Sequence, residues 1–169
     1  MNREELKNLQ TPLKQNYREK PETALVTLKA QGRIAEGVTC KIETGKALVE
    51  AGLHPATGGN GLSVCSGDML LEALAACAGV TMNAVATSIG VELREGIVIA
   101  EGELDFRGTL GVSKEVPVGF QKIRLKFKLK TDAAAEQVES LIKLTERYCV
   151  VLQTLRGMPV IEISSDVNI

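Results

Sequence analysis

Aromatic residues and histidine are scarce in this chain of 169 residues. Phe, Tyr and Trp together make up 3% of it, Trp is absent, and His54 is the single histidine. Hydrophobic residues still account for 44%, which is enough to build a sizeable core in one domain of this length. The scarcity of rings means that aliphatic and small side chains must fill that core.

Neither sign of charge predominates, because 20 Lys and Arg oppose 21 Asp and Glu. Proteins that bind nucleic acids or anionic membrane surfaces usually carry a basic excess, so we expect neither kind of partner here. The charged start, MNREELKNLQ, has no apolar segment typical of a secretory signal. We therefore expect a cytoplasmic protein whose thiols are kept reduced.

The four cysteines form no CxxC pair; they are Cys40, Cys65, Cys77 and Cys149. With one histidine in the chain, this spacing does not favour a structural zinc site. The segment TGGNG, at 57–61, lacks the Lys-Ser/Thr ending of a phosphate-binding loop. We expect neither a metal nor an organic cofactor.

The apolar pattern predicts three strands, a helix, two strands, a second helix and a final strand, which is an α+β fold. Residues 1–22 are polar and are predicted to form a surface helix or arm, and 23–169 to form the domain. GR at 32–33 is interpreted as a hairpin turn. The strands are expected at 23–30, 34–43, 46–52, 91–106, 122–131 and 158–164. Asp132 is expected to cap the second helix.

The segment 68–89 is predicted to be a helix that is apolar on nearly every side. Ser66 and Asp68 supply N-cap chemistry, and Gly90 stops the helix. Glu72 is its only charge past the first turn, so a buried helix would require a partner for that carboxylate. Two small sheets can hardly cover such a helix on all sides. We therefore expect a homodimer in which a second subunit covers part of it.

Two cysteines lie in helical segments that face this core. Cys77 sits in LLEALAACAG, and Cys149 shares a stripe with Leu141 and Leu152 if its helix is continuous. An apolar site alone raises a thiol pKa, so a reactive Cys77 requires a nearby cation. On spacing alone, the two thiols are either a pair that can form a disulfide or two separate core residues.

The segments SGDMLLEALAACAG and ERYCVVLQTL resemble the two cysteine motifs of the OsmC/Ohr family of thiol-dependent hydroperoxide reductases. The second motif is more similar to the YhfA-type branch, and the resemblance covers roughly residues 23–166. It implies an intertwined homodimer with sheets wrapped around central helices. It also implies a small-molecule hydroperoxide as substrate and a dithiol as reductant.

The resemblance assigns roles residue by residue. Cys77 matches the peroxidatic cysteine, which becomes a sulfenic acid, and Cys149 matches the resolving cysteine, which forms a disulfide with it. Arg33 is the residue that we align with the activating arginine of the family. Many members carry a Pro-Glu pair that orients this arginine; here Gly67 and Asp68 stand there, so Asp68 is the candidate for that task.

Two further positions depart from the Ohr pattern. Ala78 follows the first cysteine in place of an aromatic residue, and Val150 follows the second in place of a proline. These departures leave two alternatives to a peroxidase: a non-catalytic redox sensor or small-ligand-binding dimer, and a structural dimer. Cys65 is a candidate third redox thiol beside a helix N-terminus. His54 is a loop residue near the expected site, and Cys40 is expected in a strand core.

Overall fold

The computed structural model describes residues 2–20, 31–34, 39–43 and 48–167. The helices are α1 (Arg3–Glu19), α2 (Ser66–Ile89), α3 (Phe106–Thr109), α4 (Ala135–Tyr148) and α5 (Val150–Gly157), with one 3-10 turn at Pro55–Thr57. The strands are β1 (Gln31–Ile34), β2 (Thr39–Glu43), β3 (Leu48–Gly52), β4 (Val64–Cys65), β5 (Glu95–Glu103) and β6 (Lys122–Lys130). The α+β prediction is confirmed.

The described strands form two sheets. The first has the order β1-β2-β3-β4, with antiparallel pairs except for the short parallel pair of β3 and β4. The second is an antiparallel pair of β5 and β6, nine residues long on each side. Along β6, lysine and arginine face solvent and alternate with half-buried apolar residues. This period of two places one face of the second sheet against α2.

Helix α2 is the centre of the molecule. It packs against β5 on one side and against α4 and α5 on another. Leu74 and Ala78 are fully buried with Cys149, and Met82 lies in a second cluster with Leu141. The helix ends as predicted at Gly90, which adopts the left-handed conformation with φ 76°. The small side chains of α2 allow the neighbouring helices to approach closely.

Several boundaries differ from the prediction. Gly32 and Arg33 lie inside β1, paired with Ile42 and Lys41, so they are not the hairpin turn. The N-cap of α2 is Cys65, because the helix begins at Ser66 and Asp68 already lies in its first turn. The second long helix is capped by Ala134 instead of Asp132, and Asp132 pairs with Arg94.

The predicted final strand, 158–164, is wrong for the single chain. These residues pair with no strand in the described part of the structure, and Ile161 and Ile163 are 79% and 94% exposed. An isolated extended segment has no acceptors for its backbone N–H groups except water. At the other end, residues 3–19 form α1, which packs against α2. The strand predicted at 23–30 lies outside the described residues.

Candidate active site at the Cys77–Cys149 thiol pair

Cys77 lies in the middle of α2 and is half-buried. It packs against the cluster formed by Leu74, Ala78 and Cys149. Apolar side chains of both long strands, including Ile123 and Leu125, close the cluster from the sheet side. The thiol is therefore held in a mostly dry position at the junction of α2 with the C-terminal helices.

Cys149 lies at a break between two helices, so the continuous helix on which its predicted stripe depended is not formed. Its backbone is extended (φ −72°, ψ 106°), so it is at once the C-cap of α4 and the N-cap of α5. The Cys149 N–H donates to the Thr145 carbonyl at 3.0 Å, and its carbonyl accepts from the Gln153 N–H at 2.9 Å. The side chain still faces the core and is fully buried.

The structure brings the two sulfur atoms within hydrogen-bonding reach of each other. Burial of Cys77 opposes ionisation, but the Val151 N–H, the Cys149 thiol and weaker donors, among them the Thr81 hydroxyl and the Val150 N–H, outweigh it. The pKa of Cys77 is consequently lowered from its ordinary value of 9.0. Donors to the charged form favour a thiolate in this way.

Cys149 shows the opposite tendency. Burial raises the pKa of Cys149, and the neighbouring Cys77 thiolate raises it further, while the Leu152 N–H offsets part of the effect. Of the two thiols, Cys77 therefore ionises first, and the Cys149 S–H then donates a hydrogen bond to the Cys77 thiolate. A nucleophilic sulfur beside a protonated thiol is the arrangement required for oxidation of the first and its later capture by the second.

The amide donors to Cys77 were missed by sequence reasoning, which looked for a cation near this thiol. Cys77 is indeed too deep in α2 for the N-terminus of its own helix to act on it. The donors come from the N-terminus of α5, where Val150 and Val151 have no acceptor in the preceding turn. Cys149, Val150 and Val151 include no residue that marks a helix start, so these donors carried no sequence signal.

Of the two predicted auxiliary residues, only Asp68 can be placed relative to the thiol cluster, and it is not part of it. Arg33 is in β1, and its side chain lies outside the described part of the structure. Asp68 is exposed in the first turn of α2, about 13 Å along the helix axis from Cys77 at 1.5 Å per residue. Among the described residues its carboxylate forms no ion pair.

A separate cavity of about 400 Å³ surrounds the start of α2. It is lined by Cys65, Asp68, His54 and aromatic side chains, and the His54 ring stacks on Phe106 with centroids 4.8 Å apart. The His54 Nδ1 accepts from the Ala56 N–H at 3.0 Å, which ties it to the local turn. These residues lie away from the thiol pair, and the side chain of Cys40 is outside the described residues.

Two further charged residues, Glu72 and Arg156, have environments that bear on the site. Glu72 is exposed on α2 in the single chain, so it does not require the buried partner that was expected. Arg156 pairs with Glu146 at 3.1 Å, across the break at Cys149. Within the described residues, no group of three or more His, Cys, Asp or Glu side chains is arranged to hold a metal ion.

The lowered pKa of Cys77 gives a testable prediction. The thiolate is the form that reacts with iodoacetamide. The alkylation rate of Cys77 in the folded protein, measured by mass spectrometry of its peptide, should therefore reach half its maximum at a pH below 9.0. Thr81→Val removes one donor and should raise this midpoint by about half a unit. Thr87→Val is the matched control, because that hydroxyl donates to the Asn83 carbonyl instead. A wild-type midpoint equal to that of the urea-unfolded chain would contradict the assignment.

The fold is similar to that of several solved structures. The OsmC-like protein of Mycoplasma pneumoniae superposes with a TM-score of 0.66 at 17% identity, over 78% of this chain and 89% of that one. An organic hydroperoxide resistance protein of Elizabethkingia anophelis gives 0.63 at 18% identity, over 79% and 90%. OhrB of Bacillus subtilis gives 0.52 at 20% identity, over 78% and 92%.

No curated protein matches the chain significantly in sequence. The family model described as OsmC-like protein matches residues 58–164. This range is more than half of the chain, and it contains α2, the second sheet, both C-terminal helices and both cysteines of the thiol pair. The chain therefore belongs to the OsmC-like protein family.

Proposed function

We propose that the protein is a thiol-dependent peroxidase that reduces organic hydroperoxides and, as a smaller second substrate, hydrogen peroxide. Membership of the OsmC-like family supports a peroxide-resistance or redox-related role. The observation that carries the finer proposal is the contact of the Cys77 and Cys149 thiols, with the α5 amides directed at Cys77. No metal or organic cofactor is required for the steps that follow.

The Cys77 thiolate attacks the terminal oxygen of the hydroperoxide. The O–O bond breaks, the alkoxide takes up a proton and leaves as an alcohol, and Cys77 is oxidised to a sulfenic acid. The Cys149 thiol then attacks the sulfenic sulfur, forming a disulfide and releasing water. A dithiol reductant restores both thiols and is itself oxidised to a disulfide.

A cavity next to the thiol pair supports an apolar substrate. It has a volume of about 370 Å³, and Leu74, Leu125 and Leu152 belong both to its lining and to the core around the two cysteines. Lys122 and Arg156 are also among its lining residues. An aliphatic floor with a polar edge favours alkyl hydroperoxides over small hydrophilic peroxides. Thiols that must be recycled fit the cytoplasmic location that we propose.

Turnover tests the roles of the two cysteines. Consumption of cumene hydroperoxide with a dithiol reductant should be rapid in the wild type and lost in Cys77→Ser. Cys149→Ser should consume about one equivalent and accumulate a sulfenic acid on Cys77, detected by dimedone labelling and mass spectrometry. Cys65→Ser is the matched control, because Cys65 lines the separate cavity at the start of α2, and this variant should retain turnover. Stoichiometric oxidation without turnover in the wild type would instead indicate a redox sensor, and inert thiols a structural protein.

Arg33 is proposed to stabilise the oxygen that leaves as the O–O bond breaks, and Asp68 to orient that arginine. Removing a group that stabilises developing negative charge lowers a rate constant by about 10²-fold to 10³-fold. Arg33→Gln should therefore slow Cys77 oxidation in a single-turnover experiment by about that factor. Arg94→Gln, which removes an exposed arginine paired with Asp132, should not. Equal rates in both variants would eliminate Arg33 from the mechanism.

The homodimer also remains a proposal, and the exposed face of α2 supports it. Ala73, Ala76, Val80 and Asn83 form one exposed stripe at helical spacing, and Val80 is 72% exposed. By length and composition α2 could span a membrane, and only 28% of its most apolar window is buried by the chain itself. The resemblance to the OsmC/Ohr family implies a homodimer, so we attribute the uncovered surface to a second copy.

Sedimentation velocity at micromolar concentration tests this proposal. The wild type should sediment as a dimer, at twice the 18.1 kDa chain mass. Val80→Asp places a charge on the α2 stripe and should shift the protein towards monomer, because burying an unpaired carboxylate is costly. Val112→Asp is the control at similar exposure, 71%, in the loop after α3. A monomeric wild type, or identical behaviour of the two variants, would contradict the proposal.

A further inference from the structure

The break at Cys149 leaves an orphan acceptor at the end of α4. In a continuous helix the Val150 N–H would donate to the Glu146 carbonyl, four residues earlier. That bond is absent from the described structure. The Glu146 carbonyl instead accepts from the side-chain amide of Gln153, with Nε2 at 2.7 Å. Gln153 therefore occupies the position that Val150 would take in an unbroken helix.

A second contact spans the same gap. Arg156, one turn after Gln153 on α5, places Nη2 at 3.1 Å from Glu146 Oε2. Gln153 and Arg156 of α5 thus form hydrogen bonds to the backbone and to the side chain, respectively, of Glu146 in α4. No side chain makes a cap hydrogen bond at the start of α5. The first amides of that helix are consequently free to face Cys77, which packs against the cluster that contains Cys149 and accepts a hydrogen bond from the Val151 N–H.

We propose that Gln153 is a positioning residue for Cys77: by occupying the Glu146 carbonyl it keeps the helix broken at Cys149 and the Val150 and Val151 N–H groups directed at the Cys77 sulfur. An unoccupied carbonyl at the end of α4 would compete for the Val150 N–H and favour a continuous helix. The role of this positioning in catalysis rests on the proposed peroxidase function. The contacts that carry the inference do not depend on turnover.

The first test compares two neighbouring α5 positions. Gln153→Met retains the length of the side chain but removes its donor, so the α5 amides should turn away from Cys77. The pKa of Cys77 should then rise by about one unit, which lowers its alkylation rate at pH 7 about tenfold. Thr154→Ala is the matched control, because Thr154 is exposed and its side chain forms no hydrogen bond among the described residues. Cys77 should keep its wild-type alkylation profile in that variant.

The second test removes the amide itself. Proline is tolerated at the first position of a helix and lacks an N–H, and it requires an extended preceding residue, as Cys149 already is. Val150→Pro should raise the pKa of Cys77 by about half a unit relative to Val150→Ala. Proline also enforces the break, so adding Gln153→Met to Val150→Pro should cause no further shift. The two changes are therefore expected to be strongly non-additive.

The proposal is overturned if Gln153→Met and Thr154→Ala give the same Cys77 profile. It is also overturned if Gln153→Met and Val150→Pro add independently, or if Cys65 alkylation changes as much as Cys77 alkylation, which would indicate general loosening. Alkylation requires no peroxide, so failure of the positioning role can be distinguished from failure of the proposed peroxidase function. A wild type without turnover but with a Gln153-dependent pKa of Cys77 would refute the peroxidase and retain the positioning role.

Discussion

The chemistry of this molecule depends on one break in a helix. If α4 and α5 were continuous, the Val150 and Val151 N–H groups would donate to carbonyls within the helix. Cys77 would then remain buried but would accept fewer hydrogen bonds. Burial alone raises a thiol pKa and makes the group inert. Because the chain is extended at Cys149, the same residue supplies the second thiol and exposes the amides that acidify the first. The lowered pKa of Cys77 and the proximity of the second thiol therefore have a common structural origin.

Much of the fold could be predicted because its determinants are local or periodic. The alternation along β6 identified a strand with one buried face, and Gly90 identified the end of α2. The break at Cys149 could not be predicted in this way. The residues around it include no Gly or Pro, and Val150 stands where a proline would have marked a helix start. We attribute the extended conformation instead to contacts between α2 and α5, which are distant in sequence, and to the bond from Gln153 to Glu146, seven residues earlier.

The predictions that concern a single chain and those that concern an assembly diverge at the C-terminus. Residues 158–164 have the alternating pattern of a strand, yet Val160, Ile161 and Ile163 are exposed. The same mismatch occurs on α2, where an apolar sequence leaves Val80 largely uncovered. A pattern of apolar residues encodes how much surface is buried, but it does not identify which chain covers it. Both mismatches agree with the second copy that we propose.

The reaction that we propose sets two electrostatic tasks at Cys77. Ionising the resting thiol requires donors that contact sulfur, and here neutral backbone amides and the Cys149 thiol supply them. Breaking the O–O bond places new negative charge on the leaving oxygen, which the attacked oxygen separates from that sulfur. The amides of α5 are fixed beside the sulfur and do not reach the leaving oxygen, whereas a long cationic side chain can contact that oxygen. Arg33, if it acts as proposed, therefore serves the bond-breaking step.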